Sequence, residues 1–151
     1  MKDREFLEQF EICTLPYEEW THRSHIKVGY LYVRDNPFKQ AVQKMRDGIR
    51  AYNAANAQQV KIGYHETITR AFLHLIRARV PHIEASDGLD ADGFCEAHPD
   101  LLDKRILSRF YSDALLRSAD ARSRFVPADL SPLPAPVKKR DKFSRCCQQT
   151  Y

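Results

Sequence analysis

Two short segments of the chain hold histidines at spacings that suit metal binding. In the WTHRSH segment (residues 20–25), His22 and His25 are three residues apart, which puts both imidazoles on one face of a helix. In the GYHET segment (residues 63–67), His65 stands beside a carboxylate where a helical pattern begins. Helical bundles build internal metal sites from side chains on facing helices. The sequence therefore predicts one metal site with His22, His25 and His65 as ligands.

The predicted ligand set indicates what such a site would do. Three histidine nitrogens, with or without a carboxylate, suit zinc, nickel, iron, cobalt or manganese, and three protein ligands leave a position open for water or substrate. The divalent ion would activate that water or polarise a substrate carbonyl, with Glu66 as general base or, alternatively, as fourth ligand. The predicted function is a metal-dependent enzyme acting on a small molecule by hydrolysis, elimination or isomerisation.

Other side chains are candidates for a substrate pocket beside the ion. The aromatic residues Trp20, Tyr30, Tyr64 and Phe72 are expected to line it. Arg122, or alternatively Arg109 or Ser112, is expected to orient a carboxylate of the substrate. His74 falls on the flank of its predicted helix among arginines, so it is expected at the surface.

Each of these residues also has a structural interpretation. A histidine on an apolar helix face is most often a hydrogen-bonded core residue, and Trp20 and Tyr64 can be core aromatics. Glu66 can be a first-turn carboxylate that the helix dipole favours. The H-x-x-H spacing is also less specific than H-E-x-x-H, which the chain lacks. The alternative function is therefore a non-enzymatic ligand- or partner-binding helical module with structural histidines.

The hydrophobic pattern predicts an all-α fold, a single bundle of about five to seven helices with an extended, proline-rich C-terminal arm. Apolar residues recur at helical spacing in seven segments, over about 2–12, 17–34, 37–53, 64–80, 93–97, 99–110 and 112–125. Residues 1–134 are expected to form the helical domain with the metal site. Residues 135–151 are expected to be a basic, disordered tail.

Composition limits the class of protein further. A chain of 151 residues with 43% hydrophobic and 29% charged residues fits one globular domain. The net charge of +4 comes from residues 137–145, which hold five Lys and Arg against one Asp, so no nucleic-acid partner is expected. Four cysteines without a C-x-x-C spacing, no signal peptide and no membrane span indicate a soluble, cytoplasmic protein. A homo-oligomer is left open.

The motifs W-x-H-x-x-H, I-R-A-Y-N (residues 49–53) and G-Y-H-E-T-I-T resemble those of a group of small, uncharacterised, mostly helical proteins. The similarity extends to F-Y-S at residues 110–112 and P-A-D-L-S-P-L-P at residues 127–134, and it covers about residues 15–134. The resemblance implies a helical fold and the choice of His22, His25, His65 and Glu66 as site residues. It implies no particular reaction.

Overall fold

The computed structural model describes residues 2–80 and 88–136. Within these two ranges the chain forms seven α-helices, three 3-10 helices and no strand. The α-helices are α1 (Asp3–Glu11), α2 (His22–Asp35), α3 (Phe38–Ala55), α4 (Glu66–Arg77), α5 (Ala91–Ala97), α6 (Asp113–Arg117) and α7 (Ala119–Ser123). The 3-10 helices are Tyr17–Glu19, Pro99–Leu102 and Lys104–Arg109. The predicted all-α bundle is confirmed.

The C-terminal part of the described chain is an arm without helix or strand, from residue 127 to residue 136. The tail expected to be disordered, with Cys146 and Cys147, lies outside the described residues except for residues 135 and 136. A domain boundary at residue 134 therefore stays a prediction. In the two described ranges, no helix is long and apolar enough to cross a membrane.

Helix α2 is the central element, since it packs against α3, α4 and α5. It approaches α4 closely at Gly29, where an added Cβ would lie 2.9 Å from Cδ1 of Ile76 and 3.2 Å from Cδ2 of Leu73. The hydrogen of glycine therefore allows the two helices to meet. As a result, the WTHRSH and GYHET segments stand at the starts of two neighbouring helices, as the sequence predicts.

Side-chain caps determine where these two helices begin. The hydroxyl oxygen of Thr21 accepts a hydrogen bond of 3.3 Å from the backbone N–H of Ser24, so α2 begins at His22. Nδ1 of His65 accepts one of 3.1 Å from the backbone N–H of Ile68, so α4 begins at Glu66. The sequence pattern instead predicts a start at Tyr64. His65 is thus the cap of α4 rather than a residue within the helix.

The chain after α5 is more broken than the sequence predicts. Residues 99–110, expected as one helix, form the two 3-10 helices that Asp103 separates. Residues 112–125, also expected as one helix, form α6 and α7. Ser118 interrupts them with an extended ψ of 148°, and its hydroxyl accepts a hydrogen bond of 3.1 Å from the N–H of Ala121. Short capped turns therefore replace two regular helices.

Candidate functional site

The two histidines of the WTHRSH segment each use one ring nitrogen on the backbone. Nε2 of His22 donates to the carbonyl of Leu101 at 2.9 Å, and Nδ1 of His25 donates to the carbonyl of Thr21 at 2.7 Å. The ring of His25 packs on Trp20 with 3.8 Å between centroids. Burial lowers the pKa of His22, and it lowers the pKa of His25 to about 4. Both imidazoles are therefore neutral at neutral pH.

His65 uses both of its ring nitrogens inside the fold. Besides the cap on Ile68, its Nε2 donates to the carbonyl of Leu116 in α6 at 2.7 Å. These two bonds require the tautomer with the proton on Nε2, and they occupy the one lone pair that a metal ion would need. Ligation by His65 would therefore cost the protein the cap of α4.

Glu66, the predicted general base, forms a buried ion pair with Arg46. Nε of Arg46 lies 2.6 Å from Oε1 and Nη2 lies 3.0 Å from Oε2, while the hydroxyl of Tyr64 donates to Oε1 at 3.0 Å. Burial alone would raise the pKa of Glu66, but the hydrogen bonds from Arg46 and Tyr64 outweigh it, so the pKa lies below its usual value. A carboxylate so stabilised is a weak base at neutral pH.

The two segments begin helices that pack against each other, but the predicted ligands do not converge. Within residues 2–80 and 88–136, no three His, Cys, Asp or Glu side chains are grouped so that they can hold a metal ion. His22 and His25 share the first turn of α2, whereas His65 is turned toward α6. The three-histidine site and its metal ion therefore stay a prediction that these contacts do not favour.

Two of the predicted pocket aromatics are packed against different parts of the core. Trp20 stacks on Phe10 with 4.7 Å between ring centroids. Tyr30 is buried, stacks on Phe94 at 4.2 Å, and donates its hydroxyl to the carbonyl of Leu89 at 2.5 Å. Their contacts are those of core residues.

Two further predicted pocket residues, Tyr64 and Arg122, border the GYHET segment. The ring of Tyr64 lies under the guanidinium of Arg50, 4.9 Å from centroid to Cζ. Arg122 is exposed and donates from Nη1 to the carbonyl of Gly63 at 3.3 Å. Both side chains thus support the backbone and the carboxylate of the segment.

Thr67 completes the contacts of the GYHET segment. It is fully buried, and its hydroxyl donates to the carbonyl of Arg124 at 2.7 Å while accepting from the N–H of Val126 at 3.1 Å. Together with the bonds of His65 and Glu66, this contact attaches α3, α6 and the segment after α7 to the start of α4. The GYHET segment therefore connects these three parts of the bundle to α4.

A cluster that sequence reasoning missed lies further along α4. Arg70, His74 and Arg77, named here the α4 basic face, follow one another at i, i+4 and i+7 and share one side of the helix. The ring of His74 lies between Phe38 at 4.9 Å and Phe125 at 5.4 Å. The guanidinium of Arg77 is 3.7 Å from the Phe38 centroid, and that of Arg70 is 4.5 Å from the Phe125 centroid.

The placement of His74 corrects the sequence prediction. It is half-buried rather than at the surface, because Phe38 and Phe125, which are distant in sequence, cover that flank of α4. Burial first, and then the charges of Arg77 and Arg70, lower the pKa of His74 to about 4. The spacing of the three basic residues was visible in the sequence, whereas the aromatic walls were not.

The α4 basic face has an unusual hydrogen-bonding state. In the described part of the chain, the buried side-chain nitrogens without a partner are Nε of Arg70, Nε2 of His74 and Nε of Arg77. Nη2 of Arg77 donates to Nδ1 of His74 at 3.0 Å, so the proton of His74 is on Nε2. All three unpaired atoms are therefore N–H donors. Each costs about 1–3 kcal/mol while it lacks an acceptor.

The two bonds of His65 predict how its variants behave. Asparagine is a good N-cap residue but is too short to reach Leu116, and alanine provides neither bond. We expect His65→Ala to lower the free energy of unfolding by about 2 kcal/mol and His65→Asn by roughly half as much. Urea denaturation of the two variants measures this. Equal losses would contradict the capping role.

Comparison of the chain with protein-family models, with curated proteins and with solved structures gives no match. The resemblance based on the W-x-H-x-x-H and G-Y-H-E-T motifs therefore stays a prediction. The function has to be inferred from the contacts of the residues themselves.

Proposed function

We propose that this protein is a non-enzymatic binding module in which His22, His25 and His65 are structural. The observation that supports this most directly is a difference between two places in the fold, one where the polar side-chain atoms have hydrogen-bond partners and one where they lack them. At the predicted metal site, His65 has both ring nitrogens bonded within the fold. On the α4 basic face, three buried donors have no partner among the described residues.

The same contrast weakens the catalytic alternative. A general base needs a lone pair that is free to accept a proton and a pKa near the working pH. Both oxygens of Glu66 already accept hydrogen bonds from Arg46, and the pKa of Glu66 is lowered. A metal ligand needs a free nitrogen, which His65 lacks unless α4 loses its cap.

Unpaired buried donors, by contrast, are what a binding site offers to a ligand. Buried polar groups in folded proteins are nearly always hydrogen-bonded, so a group of unpaired ones calls for an explanation. An acceptor brought by a small molecule or by a partner would satisfy them. Binding there would require neither a metal ion nor a base.

The proposal is tested by metal content and metal response. We expect untagged protein to contain far less than one equivalent of metal by elemental mass spectrometry. We also expect its melting temperature to be the same in EDTA as in zinc, nickel or manganese salts. His22→Ala, His25→Ala and His65→Asn should leave this unchanged, and His98→Asn is the control for a histidine outside the two segments.

One result would contradict the proposal. Stoichiometric metal that is lost in His22→Ala, His25→Ala and His65→Asn, but retained in His98→Asn, would restore the metal-dependent enzyme. Circular dichroism of each variant must show the helical content of the wild type, so that lost metal cannot be attributed to unfolding.

A further inference from the structure

We infer that the α4 basic face binds an oxyanion, the carboxylate or phosphate group of a small molecule. This inference rests on the proposed binding function and deepens it by naming the site and the ligand chemistry. It follows from three features of Arg70, His74 and Arg77: their unpaired donors, their charge and their aromatic surroundings.

The donors match the acceptors of an oxyanion. A guanidinium presents its Nε–H and one Nη–H side by side, which is the spacing of two oxygens of a carboxylate or phosphate. Arg70 and Arg77 each have an unpaired Nε, and neutral His74 adds an Nε2–H. The bond from Arg77 to Nδ1 of His74 holds these two side chains together as one unit. One anion with two or three oxygens would satisfy donors that the described chain leaves unpaired.

The charge of the surroundings also favours an anion. Neither Arg70 nor Arg77 forms an ion pair among those found in the described ranges. Glu66, four residues before Arg70, is already paired with Arg46. Arg46, Arg70, Arg77 and Glu66 together therefore carry two net positive charges. An oxyanion would balance them in a setting where partial burial strengthens electrostatic attraction.

The aromatic rings give the site its walls. Phe38 lies against Arg77 and Phe125 lies against Arg70, each ring face carrying a guanidinium. Each ring covers one side of a guanidinium and limits the access of water to it. The rings also give an apolar surface to the body of the ligand. An organic acid with a flat apolar group therefore fits the site at least as well as a bare phosphate.

The site is reachable although the three nitrogens themselves are covered. Arg70, His74 and Arg77 are each partly exposed as residues. An oxyanion arriving from solvent meets the outer parts of the guanidinium groups, and a side-chain rotation turns each Nε–H toward it.

The inference is tested by thermal unfolding of metal-free protein in EDTA. Millimolar inorganic phosphate or benzoate, each compared with sodium chloride at the same ionic strength, should raise the melting temperature by about 3 °C. Titration calorimetry then gives the affinity. A higher affinity for benzoate than for phosphate would identify an organic carboxylate as the ligand, and a higher affinity for phosphate would identify a phosphate group.

Variants locate the effect. Arg70→Met and Arg77→Met keep an unbranched side chain that can cover the rings, and each should weaken anion binding by roughly tenfold to a hundredfold. Arg117→Met removes the same charge from an exposed, surface ion pair on α6 and is the matched control. Arg77→Met also removes the bond to Nδ1 of His74, so its affinity is measured at a temperature where the variant is folded.

Two results would overturn the inference while leaving the proposed function intact. In one, metal-free protein shows no response to either anion. In the other, the response is the same in the wild type, Arg70→Met, Arg77→Met and Arg117→Met, which indicates a general salt effect. A requirement for bound metal would instead overturn the proposed function, so the two failures are distinguishable.

Discussion

Arg46→Met is expected to lower the free energy of unfolding by about 3–5 kcal/mol, which is the usual cost of removing one partner from a buried ion pair. The substitution leaves the carboxylate of Glu66 buried, with only 6% of its side chain exposed, and without its cation. The hydroxyl of Tyr64 still donates to the carboxylate, but the three contacts to the guanidinium are lost. Urea denaturation with linear extrapolation measures the loss.

Substitution of the other partner, Glu66→Gln, is expected to lower the free energy of unfolding by less than Arg46→Met does. In Glu66→Gln the partner left behind is Arg46, whose side chain is 29% exposed and can turn toward water. The double variant Arg46→Met with Glu66→Gln should recover part of the loss of Arg46→Met, since it removes the unpaired charge. If Glu66→Gln costs as much as Arg46→Met, solvent access to Arg46 does not matter and the explanation fails.

The pH dependence of the same pair has a definite sign. The pKa of Glu66 is lowered in the folded protein, so its stabilising contribution is present above the ordinary value of 4.5 and is lost as the pH falls through the folded pKa. In Arg46→Met, burial is no longer opposed by the guanidinium, so the pKa of Glu66 is higher than in the wild type and the variant loses less stability on acidification. The stability difference between wild type and variant should therefore shrink from neutral to acid pH. A constant difference would contradict it.

The longer helices could be predicted because their burial follows one helical period. In α3, the predicted apolar stripe is buried at Ala41, Val42, Met45, Ile49 and Tyr52. Such a pattern depends only on which residues of one helix face the core. The prediction of one helix over residues 99–110 and one over residues 112–125 was wrong, because each range divides into two short helices. There, the capping side chains of Asp103 and Ser118 outweigh a weak apolar period.

The role of His65 could not be predicted for a geometric reason. Projecting a residue at 100° per position onto a helix assumes that the residue has helical backbone angles. His65 is the cap, with φ −128° and ψ 111°, so its side chain does not point where the projection places it. Whether His65 lies within the helix or caps it depends on a shift of the start of α4 by two residues, from Tyr64 to Glu66. Assigned helix ends commonly differ by that much.

His74 was misplaced because its neighbours come from other parts of the chain, Phe38 from the start of α3 and Phe125 from the segment after α7. The burial of Glu66 likewise depends on another helix, since Arg46 of α3 pairs with its carboxylate. His74 falls on a polar flank, yet Phe38 and Phe125 cover it. Periodicity within one helix carries no information on these pairings, so the aromatic surroundings of the α4 basic face become visible only in three dimensions.

Thr67→Val is expected to lower the free energy of unfolding by about 2–4 kcal/mol. Valine has nearly the shape of threonine, so the packing is kept, but it leaves the carbonyl of Arg124 and the N–H of Val126 without the hydroxyl that bonds both. The N–H of Val126 is buried and the carbonyl of Arg124 is partly so, and a buried backbone group left unpaired costs about 1–3 kcal/mol. Thr67→Ser is the matched control, because it keeps the hydroxyl and loses one methyl group, at a cost of about 1 kcal/mol.

Thr67 also connects the GYHET segment to the proposed ligand site. Phe125 stands between Arg124 and Val126, the two residues whose backbone Thr67 holds, and its ring packs on His74 and Arg70. If that backbone is released, Phe125 no longer holds the guanidinium of Arg70 in place. We therefore expect Thr67→Val to weaken oxyanion binding as well as stability, and Thr67→Ser to leave the affinity unchanged. Calorimetric titration of both variants with benzoate at a temperature where each is folded measures this. Loss of stability with unchanged affinity in Thr67→Val would show that the GYHET segment supports the fold alone.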